Sequence, residues 1–414
     1  MFKIAFIGQK GIPVSQGGVE RHVEELSIRM VKKGHEVFVY TRPQWVPKEY
    51  KKYEGVNLIS LPSLNTKHLD AGTHTFISIF SAIFKQKVDI IHLQGIGPGW
   101  FAWLPKILSR KIKVVSTIHS ADWEHGKWNI FAQMMLKFGA KLSCKFSDEA
   151  IAVGRNLQKH CLMNCKKDVI YIPNGVAIPE KNNSVSGAQD SKENILNNFN
   201  LQANKYLLTV SRLVKHKGIH YLINAFKNFK DNLNKTDQKK FADFKLVVVG
   251  STAFTENYQK YLLKLTKNRT DIIFAGIQTG NNLDLLFRNS YLYVQPSESE
   301  GLSIALLEAM SYGKSILVSD IEENLELITG NSQTGTIGFD FENKNIADLT
   351  RKLNLLIRDQ DIVCQVGNKA RNHVKLYYNW EEITDRTERI YKNIVLVKDK
   401  IPSRFKLALA RYSF

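Results

Sequence analysis

Short apolar runs alternate along this chain with longer stretches in which apolar residues recur every three or four positions. Lys3–Ile7, Glu36–Tyr40, Val56–Ser60, Ile90–Leu93, Val114–Thr117 and Glu149–Val153 read as buried strands, with helical patterns such as Glu20–Lys33 between them. Val169–Pro173 is a further short strand, followed by the turn signal Asn174-Gly175. Residues 180–200 are polar and read as a linker or surface loop. The alternation then resumes, with strands at Tyr206–Val210, Lys245–Val249, Ile272–Phe274, Leu292–Val294 and Ser315–Val318. Beyond about residue 345 the pattern is helical: Ile346–Arg358, Ile362–Tyr377 and Trp380–Val395. Strand–helix alternation implies parallel sheets with helices on both faces. The expectation is an α/β chain of two doubly wound, Rossmann-like domains facing across a cleft. The first spans 1–178 and the second 179–375, followed by a helix over 376–397 and a tail over 398–414. Ligands of such sheets sit outside the carboxyl ends of the strands.

Composition narrows the partners. The chain has 414 residues, 43% of them apolar, enough for two cores. Lys and Arg number 58 against 39 Asp and Glu, a formal net charge of +19. This excess fits nucleotide phosphates, nucleic acid or an acidic membrane surface, and equally a generally basic enzyme. No nucleic-acid-binding motif or aromatic–basic repeat accompanies it, so no nucleic-acid partner is expected. Cys144, Cys161, Cys165 and Cys364 lack zinc spacing and read as free thiols of a reducing cytoplasm. The N-terminus reads as a first strand, not a signal peptide. No apolar run approaches the roughly 20 residues that span a bilayer. Thr75–Phe84 and Trp100–Leu108 are each followed by lysines or arginines. They fit either buried helices with basic ends or segments resting on anionic lipid, to which the basic tail (Lys398, Lys400, Arg404, Lys406, Arg411) would add.

The densest chemistry lies in Gln295–Met310. A strand ends at Val294, a polar turn with Gly301 follows, and Ser303 is placed to cap a helix running through Tyr312. A helix start offers free N–H groups and a positive dipole end to phosphate. If the whole interval were helical, Glu300 and Glu308 would stand about 12 Å apart, enough to grip a sugar and a ribose on one diphosphate. The same spacing fits a capped helix with two surface glutamates. Arg212 and Lys217 follow the strand Tyr206–Val210, beside Lys215 and His216, and fit either fixed cations for phosphate or a solvated basic loop. Gly17-Gly18 lies between the first strand and a helix, but Gly8, Gly11, Gly17 and Gly18 do not form a dinucleotide fingerprint. His119 ends the strand Val114–Ile118. Asp359-Gln360-Asp361 matches a D-x-D metal pattern but lies between helical segments and reads as a surface loop.

Pro296-Ser297-x-x-Glu300-Gly301-(x6)-Glu308-Ala309-Met310 resembles the E-x7-E signature of family 4 glycosyltransferases, retaining enzymes of the GT-B fold. Thr209–Gly218 resembles the family's phosphate-binding segment, Gln9–His22 its first glycine-rich loop and Tyr171–Val176 its domain hinge. The likeness covers nearly all of residues 1–395. The Gln9–Pro13 opening and His119-x-x-Asp122-Trp123 look most like bacterial polysaccharide rhamnosyl- and mannosyltransferases. The resemblance implies catalytic roles for Glu300, His119, Arg212 and Lys217. It implies donor contacts from Gly17, Gly18, Gly276, Ile277, Gly301, Leu302, Ser303 and Glu308, with the final helix returning to the first domain. Glu20, Arg21, His22, Asp122 and Trp123 are expected on the acceptor side, although Ser120 stands where many members have Asp. The implied reaction moves a hexose or deoxyhexose from a GDP-, dTDP- or UDP-sugar to a glycan or polyprenyl-linked acceptor, without metal or other cofactor. The implied setting is the cytoplasm, with peripheral association at the membrane's cytoplasmic face. The alternatives are a nucleotide-sugar epimerase or hydrolase on the same fold and, suggested only by the net charge, a non-enzymatic nucleic-acid-binding protein.

Overall fold

The computed structural model describes residues 1–14, 17–64, 66, 69–121, 130–179, 195–252, 255–329 and 335–396. Two sheets organise them. The first contains β1 (Lys3–Ile7), β2 (Glu36–Thr41), β3 (Lys52–Tyr53), β4 (Val56–Ser60), β5 (Ile90–Gln94), β6 (Lys113–Ile118), β7 (Glu149–Ala152) and β8 (Ile170–Tyr171). Their order is β3-β4-β2-β1-β5-β6-β7-β8, parallel except for β3. The second contains β9 (Tyr206–Val210), β10 (Lys245–Val249), β11 (Ile272–Gly276), β12 (Leu292–Gln295), β13 (Ser315–Ser319) and β14 (Phe339–Phe341). Its order is β11-β10-β9-β12-β13-β14, all parallel. The near-continuous apolar runs of these strands are those of sheets covered on both faces. The expected pair of GT-B-like sheets is therefore present.

Two strands escaped the pattern. β3 pairs with β4 through a tight turn at Glu54-Gly55, both with positive φ (47° and 83°). β14 is a three-residue edge strand. The polar segment also ends earlier than expected: Ile195 and Leu201 are buried in a core they share with Tyr206 and Leu208.

The helix Trp380–Leu396 lies against the first sheet, although the chain has by then built the second. Trp380, Ile383, Ile390, Tyr391 and Ile394 join Ile4, Phe6, Val115 and Ile151 in one apolar cluster. Each such fully buried side chain contributes roughly 1.5–3 kcal/mol. Polar contacts set its register: Arg29–Glu381 at 2.9 Å, Lys33–Asp385 at 2.5 Å, and the Tyr391 hydroxyl 2.6 Å from His92 Nδ1. The returning segment runs beside the outgoing one, where Val176 N–H donates to the Tyr378 carbonyl at 2.8 Å. Gly175 is required there, because a Cβ would fall 2.6 Å from the Trp380 ring.

Candidate active site

In each sheet the strand order reverses once, between β1 and β5 and between β9 and β12. A doubly wound sheet leaves its ligand crevice at such a reversal. A cavity of about 400 Å³ lies there, lined by residues that follow β1, β6, β9, β10, β11 and β12.

The loops after β9 and β12 are fastened together. Lys215–Lys217 forms one 3-10 turn closed by Gly218, whose φ is 66°. A Cβ on Gly218 would fall 1.8 Å from the Pro296 carbonyl oxygen. Glu298 N–H donates to the His216 carbonyl at 2.7 Å, and the Tyr221 hydroxyl donates to Glu298 at 3.0 Å. The Lys217 ammonium stands 2.5 Å from Glu300 Oε1, with side chains 15% and 7% exposed. Arg212 lines the same cavity and is exposed. Two cations and one carboxylate thus line one wall of the cavity.

Ser303 caps the helix Ile304–Ser311: its hydroxyl accepts from Leu306 N–H at 3.3 Å and donates to Gln295 Oε1 at 2.7 Å. Because this helix begins at Ile304, Glu300 and Glu308 do not lie on one continuous helix. The separation expected from helical rise therefore does not apply, although both line the cavity. Gly301 instead forms an antiparallel bridge with Ser120 of the opposite sheet's loop. Burial pushes Glu308 up to about 7, against the nearby Arg21, which favours its ionised form.

On the other wall, Gly17 (φ 113°) and Gly18 open the helix Gly18–Lys32 and line the cavity with Leu302 and Ser303. Gly276 (φ 66°) turns the chain after β11, its carbonyl accepting from Gly250 N–H at 2.8 Å. Gly276 presents Ile277, 47% exposed, to the cavity.

The residues expected on the acceptor side separate. Glu20 folds back to accept from Lys10 N–H at 3.1 Å. Arg21 pairs with Glu24 and Glu25 at 3.0 and 3.3 Å and lines the same cavity as Glu308. His22 is not a surface residue: it is 3% exposed, with Nδ1 3.0 Å from Asn174 Oδ1 and its ring edge-on to His119 at 4.9 Å. The apolar side of its helix, packed on the sheet, draws it in. Burial pushes its pKa down to about 4. Asp122 and Trp123 lie outside the described residues.

His119 lines the cavity, its Nε2 2.8 Å from Gln94 Oε1. Burial, with His22 and His92 nearby, pushes its pKa well below the ordinary histidine value. Gln94 had no sequence signal beyond ending a strand. Asn174, read from the sequence as part of a turn and hinge, gains its contacts only in the structure. It bridges the two sheets' loops, donating from Nδ2 to the Leu302 carbonyl at 2.9 Å. Asp359 of the D-x-D segment caps the helix Gln360–Tyr377, accepting from Ile362 N–H at 3.0 Å.

Residues 16–178 match the family described as Glycosyltransferase Family 4, and residues 191–373 match Glycosyl transferases group 1. An uncharacterized glycosyltransferase of Methanocaldococcus jannaschii is 25% identical, over 94% of this chain and 98% of that one. The UDP-Gal:alpha-D-GlcNAc-diphosphoundecaprenol alpha-1,3-galactosyltransferase of Escherichia coli is 26% identical, over 78% of this chain and 80% of that one. The crystal structure of Anabaena HepE with UDP and glucose shares the fold, with a TM-score of 0.74 at 17% identity, covering 95% of this chain and 100% of that one.

Proposed function

The chain belongs to glycosyltransferase family 4, and from that premise we propose that it moves a sugar from a nucleotide-sugar donor to a lipid-linked or glycan acceptor, with retention at the anomeric carbon. The observation that carries this reading is the Lys217–Glu300 pair beside Arg212, at the mouth of a capped helix in the cleft. Arg212, Lys217 and the helix start meet the charge that develops on the leaving diphosphate. Glu300 orients the sugar and stabilises positive charge at the reacting carbon. His119 contacts the sugar, Glu308 holds the ribose, and Gly17 and Gly18 let the phosphates approach the main chain. Ile277 borders the base. The acceptor hydroxyl attacks from the face that the diphosphate leaves. Its proton passes to the departing phosphate oxygen, so no protein nucleophile is needed.

In this reading residues 1–178 form the acceptor domain and 179–375 the donor domain. The helix 376–397 rejoins the acceptor domain, and 398–414 is a basic tail. Because protein cations face the diphosphate, turnover proceeds without a divalent metal, and EDTA leaves the rate unchanged. Hexose and 6-deoxyhexose donors are the expected class, including the rhamnosyl and mannosyl donors suggested by the opening motif. A UDP-sugar is favoured by the UDP named for the E. coli relative and for Anabaena HepE.

The acceptor's lipid end accounts for a second surface. Phe76, Ile77, Phe84, Ile107, Met134 and Phe138 are exposed on the first domain. Ring contacts join this surface through Phe76–Phe101 at 6.1 Å and Trp100–Phe138 at 5.2 Å. Lys85, Lys87, Lys137 and Lys141 are exposed around it. Among the described residues no helix is long and apolar enough to cross a membrane. Exposed apolar side chains with exposed lysines on the same segments suit the surface of an anionic bilayer instead, on the cytoplasmic side.

The test is direct. Purified protein is offered UDP-, GDP- and dTDP-sugars with polyprenyl-diphosphate-linked and free glycan acceptors. Nucleoside diphosphate release and the anomeric configuration of the product are then read. Hydrolysis without transfer, or an inverted product, overturns the reading. Sedimentation with phosphatidylglycerol vesicles, lost on Phe84→Asp, tests the surface.

A further inference from the structure

We propose that Gln94 is a positioning residue that holds His119 in the tautomer with its proton on Nε2, leaving Nδ1 to accept a hydrogen bond from a hydroxyl of the bound sugar. The sugar contact rests on the reading above; the tautomer does not.

Gln94 ends β5 and His119 follows β6. These strands pair directly, with Gln94 opposite Thr117. The register therefore brings a 2%-exposed amide beneath the histidine, its carbonyl oxygen 2.8 Å from Nε2. A carbonyl oxygen only accepts, so Nε2 carries the hydrogen. The groups packed around the ring give the imidazolium no support. The helix Gly18–Lys32 contributes His22, edge-on at 4.9 Å. Strand β5 also contributes His92, bonded to the Tyr391 hydroxyl at 2.6 Å and Thr117 Oγ1 at 2.7 Å. From the opposite domain the main chain of Gly301 meets His119 at its backbone carbonyl. Burial holds His22 and His92 neutral as well. A neutral imidazole has one N–H, and Gln94 takes it. Nδ1 is then an acceptor, which suits a sugar hydroxyl and repels a phosphate oxygen.

Asn174 and His22 carry the same device. Asn174 Nδ2 donates to the Leu302 carbonyl, so Oδ1 faces His22 and the proton of His22 sits on Nδ1. His22 Nε2 is left a buried acceptor and Gln94 Nε2 a buried donor, both without partners among the described residues. The observed orientation of the Gln94 amide thus sets unlike groups around His119. The reversed amide would place two acceptors there instead, and the tautomer read by NMR distinguishes the two orientations.

Two-bond proton–nitrogen NMR on histidine-labelled protein, without substrate, reads the tautomer. The expected result is neutral His119 with Nε2–H between about pH 6 and 8. Nδ1–H or imidazolium overturns the proposal, and this reading stands even where wild-type protein transfers no sugar. Gln94→Glu keeps an acceptor against Nε2 but adds charge that favours imidazolium. It retains turnover at alkaline pH and gains, at saturating donor, an acidic limb in kcat that wild type lacks. Gln94→Met raises the donor KM by about tenfold or more at every pH. A Gln94→Glu variant that folds normally yet is equally impaired from about pH 6 to 9 also overturns the proposal. Where that variant fails to fold, the NMR result decides.

Discussion

Replacing Gly301 with alanine tests whether the cleft works only when closed as observed. The added Cβ would fall 1.7 Å from the His119 carbonyl oxygen, 2.9 Å from its carbonyl carbon and 3.4 Å from Ser120 Cα. Ordinary contact begins at 3.4 Å, so the oxygen must retreat by 3.4 − 1.7 = 1.7 Å. All three neighbours are backbone at the end of a core strand, and none can rotate away. The strain is relieved by separating the loops and losing the Ser120–Gly301 bridge, worth about 0.5–1.5 kcal/mol per hydrogen bond. Neither sheet is touched, so thermal unfolding should shift by only a few degrees. Catalysis should suffer more, because a misplacement of about 1 Å costs about 10²-fold in rate. Steady-state kinetics should therefore show kcat down by about two orders of magnitude, with a fold normal by circular dichroism. Near-wild-type kcat would refute the argument that this contact aligns donor and acceptor.

Lys217→Ala leaves Glu300 buried without its cation. Melting should register a loss of about 3–5 kcal/mol, and transfer assays a fall of about 10²–10³ in kcat; a neutral result in either removes the assigned role. Glu308, pushed up to about 7, ionises as pH rises through that value, and only the carboxylate accepts from both ribose hydroxyls. Donor affinity should strengthen up to about pH 7 and weaken about tenfold per unit below it, a dependence that Glu308→Gln abolishes in calorimetric titration. The same raised pKa makes the Glu308 contribution to folding stability fall as pH rises through about 7, since ionisation is easier in the unfolded chain. Glu326, reaching from the second domain, accepts from Arg155 N–H at 3.1 and 2.9 Å and so caps the helix Arg155–Cys165 of the first. Glu326→Ala should cost about 1 kcal/mol of closure, seen in scattering as a larger radius of gyration for the unliganded protein.

The sequence disclosed whatever repeats at short range. Strands such as Lys245–Val249 are uninterrupted apolar runs, and Ser303 announced the helix it caps. Lys52–Tyr53 and Phe339–Phe341 are too short to show a period, and pairing with a neighbour alone makes them strands. The loops carrying Arg212, Lys217 and Glu300 were legible because each follows a strand end. What those residues touch was not. The Lys217–Glu300 pair joins positions 83 residues apart, and the Gly301–Ser120 bridge joins two domains. The burial of His22 was not legible, because it depends on Trp380 and Asn174, which arrive from distant segments. Gln94 was invisible for the same reason, since its partner lies on the next strand.

The placement of Trp380–Leu396 has a consequence for how the protein is made. The ribosome releases β1 to β8 long before the helix that completes their core. Until residues 380–396 emerge, Ile4, Val115 and Ile151 lack the cover of Trp380, Ile383 and Tyr391, and His92 lacks its hydroxyl partner. The half of the molecule synthesised first is thus the half finished last, while the intervening sheet can mature in order. A nascent chain stalled before residue 380 exposes an uncovered apolar sheet face, the kind of surface that chaperones bind. Premature termination there should yield aggregated protein and not a free first domain.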